Sequence, residues 1–418
     1  MNPRFLQIHT LASYPGALLN RDDVGFAKRL TFGGAVRTRI SSQCLKRHWR
    51  TFEGKHAISE LDLPETIRSR QTFQRLIVEP LIKEGVSPEL AAAAAIRVRD
   101  HALGKNQDKA DAKEAKEAKE TKDAKGKQKA EGPAEVTTAQ VVVLGTPEIA
   151  HLLELARTIA SEAKDPKKVD DAAKKVLDKE AQKNLKALKM AGGVGAAMFG
   201  RMVTSDVLAR GDAAVHVAHA ITVHKEESET DYFSAIDDYV RDDGELGSGH
   251  IGNTELTSGL YYSYVVVDIP LLISNLEGTP AGDWLKADRT NAAALTARLI
   301  QLIATVSPGA KLGSTAPYSR ALAMLVELGD EQPRTLANAF LQPVSAQKEG
   351  LLANSYRALG NHVAALDKMY GNDAARRFCG LDADPELLST LGAAAGPTVP
   401  EMAAWVGEVI RTARVEKV

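Results

Sequence analysis

Residues 215–224 and 260–269 carry the alternation and the β-branched, aromatic content of strands, and 35 residues of acidic, polar sequence, 225–259, separate them. Hairpin loops are far shorter than that, so the intervening stretch is expected to project from a sheet. The second segment, Leu260-Tyr261-Tyr262-Ser263-Tyr264-Val265-Val266-Val267-Asp268-Ile269, reads as a central strand. Near the start, Leu6 and Ile8 face one way and Gln7 and His9 the other, the period of a half-buried strand. Tyr14-Pro15-Gly16 and Asn20-Arg21-Asp22-Asp23 carry turn chemistry, and Phe32-Gly33-Gly34 is a second break, so a long loop is expected next. Arg37-Thr38-Arg39-Ile40 is extended again, and Ser41 or Ser42 then supplies the N-cap of a helix starting near Gln43.

On that helix Leu45, Trp49 and Phe52 recur at helical spacing and should face a core, while Gln43, Lys46, Arg47 and Arg50 lie opposite. Segments 58–84 and 87–103 read as helices ended by Gly85 and Gly104, and 147–164 and 169–190 resume the pattern. Between them, residues 105–131 hold nine lysines, seven acids and no aliphatic side chain larger than alanine. Such a tract cannot build a core and reads as a solvated, partly helical tether. Composition shifts at Gly192-Gly193-Val194-Gly195, after which strand-like sequence takes over, and 288–306, 351–370 and 399–414 read as closing helices.

At 418 residues the chain exceeds one small domain, and two or three units are expected. No apolar run approaches the length of a membrane span, so a cytoplasmic protein with no membrane partner is expected. Cys44 and Cys379 are its two cysteines, which rules out a disulfide framework. The formal net charge is −1, so any nucleic-acid site must be local. The first fifty residues supply one: nine basic side chains stand against Asp22 and Asp23, a net +7. A serine-capped helix start with Gln43, Lys46 and Arg50 on its outer face suits phosphate oxygens, and Arg21, Lys28 and the Arg37/Arg39 strand can add contacts. With 5% aromatic residues, backbone contacts rather than base stacking should dominate affinity.

Other motifs fail their tests. Gly193-x-Gly195 is followed by Met198 where a dinucleotide fingerprint needs glycine, and no phosphate loop occurs, so no cofactor is expected. The glycines point instead to close backbone contact. His250-Ile251-Gly252-Asn253 sits in an acidic excursion rather than at the start of a nucleotide domain. Alternation puts His216 and His224 on one face and His219 on the other, so no metal site is expected there, and Asp237-Asp238 and Asp242-Asp243 read as solvated carboxylates. No Gly-x-Ser-x-Gly elbow is present.

Leu19-Asn20-Arg21-Asp22-Asp23, Phe32-Gly33-Gly34 and Arg39-Ile40-Ser41-Ser42-Gln43-Cys44-Leu45-Lys46-Arg47 resemble the N-terminus of the CasC family, the repeated backbone subunit of the type I-E CRISPR complex Cascade, within the RAMP superfamily. Phe199-Gly200-Arg201-Met202, Ala218-His219-Ala220-Ile221-Thr222, Asp231-Tyr232-Phe233-Ser234-Ala235-Ile236-Asp237-Asp238, Gly249-His250-Ile251-Gly252 and Ser258-Gly259-Leu260-Tyr261-Tyr262 resemble later blocks of that family in the same order. The resemblance implies an α+β fold with a modified RRM-like (ferredoxin-like) palm, a helical finger insertion and a protruding thumb hairpin. It places the palm at 1–55, 190–224 and 260–418, the fingers at 56–189 and the thumb at 225–259.

It further implies a non-catalytic protein that binds CRISPR RNA, multimerises with further copies of itself, joins other Cascade subunits and presents bases for pairing with a target DNA strand. Carried over by position, Ser41, Gln43 and Lys46 would hold the RNA backbone, with Asn20, Arg21, Lys28, Arg39 and Arg50 nearby. Met202, Phe233 and Ile251 match positions that wedge at a kink, and Ser234 is a neighbouring polar position; apolar wedges of this kind offset the cost of unstacking with phosphate contacts. Two other readings stay open: a metal-dependent target-RNA ribonuclease using Asp22, Asp23 or thumb acids, and a generic single-strand RNA-binding protein.

Overall fold

A computed structural model describes residues 2–104, 135–188, 190–201, 208, 211–236, 248–394 and 398–414. The chain forms two units, one of Met1–Leu61, Val215–Pro270 and Asp288–Val418 and one of Asp62–Ala214 and Leu271–Ala287. The tract 105–131 and the pairs Asp237-Asp238 and Asp242-Asp243 lie outside the described residues.

The first unit opens with β1 (Phe5–Ala17), β2 (Arg29–Phe32), β3 (Ala35–Ile40) and α1 (Ser42–Arg50). The second contains β4 (Thr66–Ser69), α2 (Glu79–Lys83), α3 (Pro88–Leu103), β5 (Val142–Gly145), α4 (Thr146–Ala163), α5 (Val169–Val176), α6 (Lys179–Ala187) and α7 (Gly193–Phe199). The chain then returns through β6 (Val215–Val217), β7 (Ala220–Thr222), β8 (Glu227–Ile236) and β9 (Ser248–Asp268). After α8 (Ile269–Glu277) come α9 (Thr290–Thr305), α10 (Leu312–Thr315), β10 (Ala321–Gly329), α11 (Leu351–Tyr370), β11 (Ala375–Gly380), α12 (Pro385–Leu391) and α13 (Val399–Thr412).

The sheet runs β11-β10-β1-β9-β7-β3-β2, with β6 and β8 also paired to β9. Its pairings are antiparallel, which gives the α+β class. β9 is the spine: its last half pairs with β1, and its first half pairs with β8 from Glu227↔Ser258 to Ile236↔Ser248 as a hairpin. Leu6 and Ile8 pack on one face of the sheet beside Val267 and Val265. On the other, Leu11, Tyr262, Leu325 and Phe378 meet Phe340, Leu359, Val363 and Leu391 in one core.

β1 departs from the half-buried strand expected of it. It lies between β10 and β9, and Gln7 and His9 are as enclosed as Leu6 and Ile8 because α11 and the 336–340 segment help cover that face. His9 answers with polar partners: its Nε2–H donates to Glu327 (3.2 Å) and its Nδ1 accepts from the Tyr262 hydroxyl (2.9 Å). Tyr14-Pro15-Gly16 is not the end of the strand but a register shift within it, between Tyr14 and Ala17. Residues 215–224 make two short strands rather than one, so His216 is exposed while His224 is buried between the Lys225 carbonyl and the Leu260 amide.

The second unit has a helical core of Phe73, Ile77, Leu81, Val98, Leu152 and Ile159. Residues 66–69, expected within a helix, form β4 because Ile67 and Arg68 pair with Leu144 and Val143 of β5, a partner too distant in sequence for local periodicity to reveal. The 169–190 segment breaks where the Asp178 carboxylate accepts the Ala181 amide (2.8 Å) and caps α6. Residues 190–201 and 211–214, expected with the palm and in strand-like form, cluster instead with these helices. Gly193, at φ +75°, sets its Cα so close to Glu65 that a Cβ would lie 2.2 Å from the Glu65 carbonyl oxygen. Arg201 extends this docking through a buried pair with Glu148, at 2.5 and 2.8 Å. No helix among the described residues is long and apolar enough to cross a membrane.

Candidate nucleic-acid interface

The site is built where the loop after β1 meets the start of α1. Asp22 folds residues 20–28 into a turn, its Oδ1 accepting the amides of Val24 (3.1 Å) and Phe26 (2.9 Å), while Arg21 and Ala27 bridge across it. Asn20 ties the turn down twice. Its carbonyl accepts the Lys28 amide, and its Oδ1 accepts the Ser41 amide at 2.9 Å. Lys28 in turn accepts the Arg39 amide, so Lys28 and Arg39 are neighbours on the finished structure.

Ser41 caps α1: its hydroxyl accepts the Cys44 amide (3.3 Å), and no acidic residue occupies the first turn. Leu45 and Trp49 are buried, anchoring the helix, and His48 fixes it further by donating to the Cys44 carbonyl and accepting the Gly309 amide. Gln43 and Arg47 are exposed, and Lys46 and Arg50 half-buried, on the outer side. Phe52 is half-buried rather than core. Burial pushes the Cys44 thiol up to about 11, against the pull of Arg47 and Lys28, so it stays protonated and unreactive at pH 7.

The candidates therefore divide. Ser41, Gln43, Lys28 and Arg39 converge at the helix start, whereas the Asn20 oxygen is spent on scaffolding. Arg21 is exposed on the turn. Arg37, read as a further contact, is buried and not available: its guanidinium donates to the carbonyls of Thr222 (2.9 Å), His224 (3.3 Å) and Phe340 (2.9 Å). A residue passed over in the sequence joins the group. Nδ1 of His219, in the gap between β6 and β7, accepts the Ser42 amide (3.2 Å) and lies 3.5 Å from an Arg39 nitrogen. Its signal was its place in Ala218-His219-Ala220-Ile221-Thr222, a block matched to the CasC family in which His219 itself was weighed only as a metal ligand.

The hairpin of β8 and β9 is fastened beside this loop. Arg29 is ion-paired with both Glu226 and Glu255, and Glu255 also accepts the Ala27 amide at 2.7 Å. Farther along, Tyr232 is 65% and Phe233 42% exposed. Phe233 lies across Gly252, where a Cβ would come within 2.5 Å of its ring. Ser234 and Ile251 are backbone register partners in the ladder one step beyond. Met202 lies outside the described residues. Of the acids considered for metal-dependent cleavage, Asp22 is committed to the turn and Asp23 is exposed. Among the described residues no group of three or more His, Cys, Asp or Glu side chains is gathered.

A family model named Cas_CT1975, described as CT1975-like protein, matches residues 6–405. Among solved structures, a chain described as "CRISPR RNA-guided surveillance complex, pre-nicking" is 25% identical, with a TM-score of 0.73 over 98% of this chain and 100% of its own. Another, described as "CRISPR RNA-guided surveillance complex", is 21% identical, with a TM-score of 0.65 over 97% of this chain and 99% of its own, and shares the fold. No curated protein matches the chain.

Proposed function

The chain belongs to the Cas_CT1975 family of CT1975-like proteins, and from that premise we propose that it is a non-catalytic, CRISPR RNA-binding backbone subunit of a type I-E Cascade complex. The observation that carries this reading is the convergence of half-buried Lys28 and Arg39 and exposed Gln43 on the capped start of α1, in a fold like that of a surveillance-complex chain. A cationic cluster beside a helix N-terminus favours phosphate oxygens without reading bases. The sheet unit acts as the palm, the helical unit as fingers, and the β8–β9 hairpin as a thumb whose Phe233 region wedges beside a displaced nucleotide. Copies of the chain line up along the guide with other Cascade subunits, and base pairing with the target DNA strand sets specificity.

Filter binding of single-stranded RNA to a Lys46→Ala, Gln43→Ala double variant tests the assigned face. Retention should weaken, and the log–log salt dependence should become shallower by about 0.7 for the phosphate contact that Lys46 makes. Unchanged binding rejects the face. Incubation of the assembled particle with labelled complementary RNA and Mg²⁺ separates scaffold from ribonuclease: the RNA should remain intact, and regularly spaced products would contradict a non-catalytic role.

A further inference from the structure

The sharpest unused chemistry near the site is that of His219. A backbone amide and a guanidinium can only donate, and both approach the same ring atom: Ser42 N–H at 3.2 Å and an Arg39 nitrogen at 3.5 Å from Nδ1. Nδ1 must therefore hold a lone pair, which places the proton of the neutral ring on Nε2. Burial first, then Arg39 and Lys28, hold the ring below its ordinary value, so it is neutral at pH 7. The side chain is exposed, and Nε2, across the ring from the Ser42 bond, meets no acceptor among the described residues. The result is an oriented N–H donor with its tautomer fixed by the first residue of α1, beside Lys28, Arg39 and the Ser41 cap.

We propose that His219 is a further RNA-contacting residue, donating its Nε2–H to an oxygen of the ribose-phosphate backbone while its Nδ1 holds the start of α1 in place. This rests on the RNA-binding reading above. It assigns His219 a different physical share from the lysines and arginines: a neutral donor adds directionality and affinity but neutralises no phosphate, so it leaves the salt dependence alone.

Two side chains separate the roles. Asparagine can present an oxygen near the Nδ1 position and keep the Ser42 bond, but it has no group at Nε2. Glutamine can present an amide N–H near Nε2. Binding of a single-stranded RNA oligonucleotide, and of its 2′-deoxy counterpart, is measured for wild type, His219→Asn, His219→Gln, His219→Ala and the Lys46→Ala, Gln43→Ala control, alongside thermal midpoints. His219→Asn is expected to keep the wild-type midpoint yet bind RNA about tenfold more weakly with an unchanged salt slope, as for one hydrogen bond lost to a charged or polar acceptor. His219→Gln should recover part of that loss, and His219→Ala should lose both affinity and midpoint. A loss shared by the deoxy probe assigns the contact to phosphate; a loss confined to RNA assigns it to the 2′-hydroxyl. Wild-type affinity in both His219→Asn and His219→Gln, with the lysine control weakened, overturns the proposal and leaves His219 a positioning residue only. If the control also binds normally, the RNA-binding face itself is wrong.

Discussion

The Oδ1 of Asn20 accepts the backbone amide of Ser41 at 2.9 Å, joining the loop after β1 to the cap of α1 across twenty-one residues of sequence. That bond sets where Lys28 and Arg39 stand relative to the helix start. Asn20→Ala should cost about 1 kcal/mol of stability and also weaken RNA retention. Asn20→Asp keeps the acceptor, so its thermal midpoint should stay near wild type while its added negative charge lowers RNA affinity. Equal midpoints for wild type and Asn20→Ala would show that the bond does not organise the loop.

Arg37 and Arg39 differ by two positions and should behave as different kinds of residue. Arg37→Met removes the donor to the carbonyls of Thr222 and Phe340, while the His224 carbonyl keeps the Thr222 hydroxyl, and denaturant unfolding should report a loss of roughly 3 kcal/mol, at about 1–3 kcal/mol for each buried group left unpaired. Arg39→Ala should change stability by less than about 1 kcal/mol but flatten the salt dependence of RNA binding by about 0.7. A swap of these two phenotypes would contradict the assignment.

Glu327 sits among Arg376 (2.5 Å), Arg334 (2.9 Å) and His9 (3.2 Å), with Arg376 also paired to Asp367. Burial alone would raise its pKa, but these three donors hold it well below the usual carboxylate range. Its stabilisation is therefore full above the unfolded value of about 4.3 and is lost as pH falls from there through the folded value. Urea midpoints of wild type should drop below about pH 4.3. Glu327→Gln should be weaker at pH 7, by about 3–5 kcal/mol for the broken buried network, with a shallower acid limb. An acid limb of undiminished slope in Glu327→Gln would place the titration elsewhere.

The β8–β9 hairpin owes its direction to Arg29, which joins Glu226 and Glu255 beside the amide of Ala27. Arg29→Ala should raise the rate of limited proteolysis within Glu227–Ile236 several-fold and leave cleavage in Leu351–Tyr370 unchanged. Uniformly faster cleavage would mean global destabilisation rather than a freed hairpin.

What the sequence revealed follows the range of the forces involved. The α1 cap, the Leu45/Trp49 stripe and the cationic outer face are set within one or two turns, and they lie where the spacing puts them. The central strand was legible from its β-branched run, though not its full length of twenty-one residues, which carries it from the sheet into the projecting hairpin. Gln7 and His9 looked solvent-facing because the residues that enclose them, Glu327 and Tyr262, lie hundreds of positions away. Arg37 and Arg39 share one strand and one face by alternation, and only the carbonyl of Phe340 and the gap at His219 distinguish them. Residues 190–201 joined the helical unit through close approaches of Gly193 to Glu65 and of Arg201 to Glu148, contacts without local periodicity.

The account stands on an RNA strand running over the start of α1. Ultraviolet crosslinking of the RNA-loaded particle, followed by mass spectrometry of protease fragments, tests this directly. Nucleotide adducts should concentrate on peptides carrying residues 21–28, 39–50 and 219, with a further set on the hairpin around Phe233. Adducts confined to Asp62–Ala214, with those peptides unmodified, would contradict it.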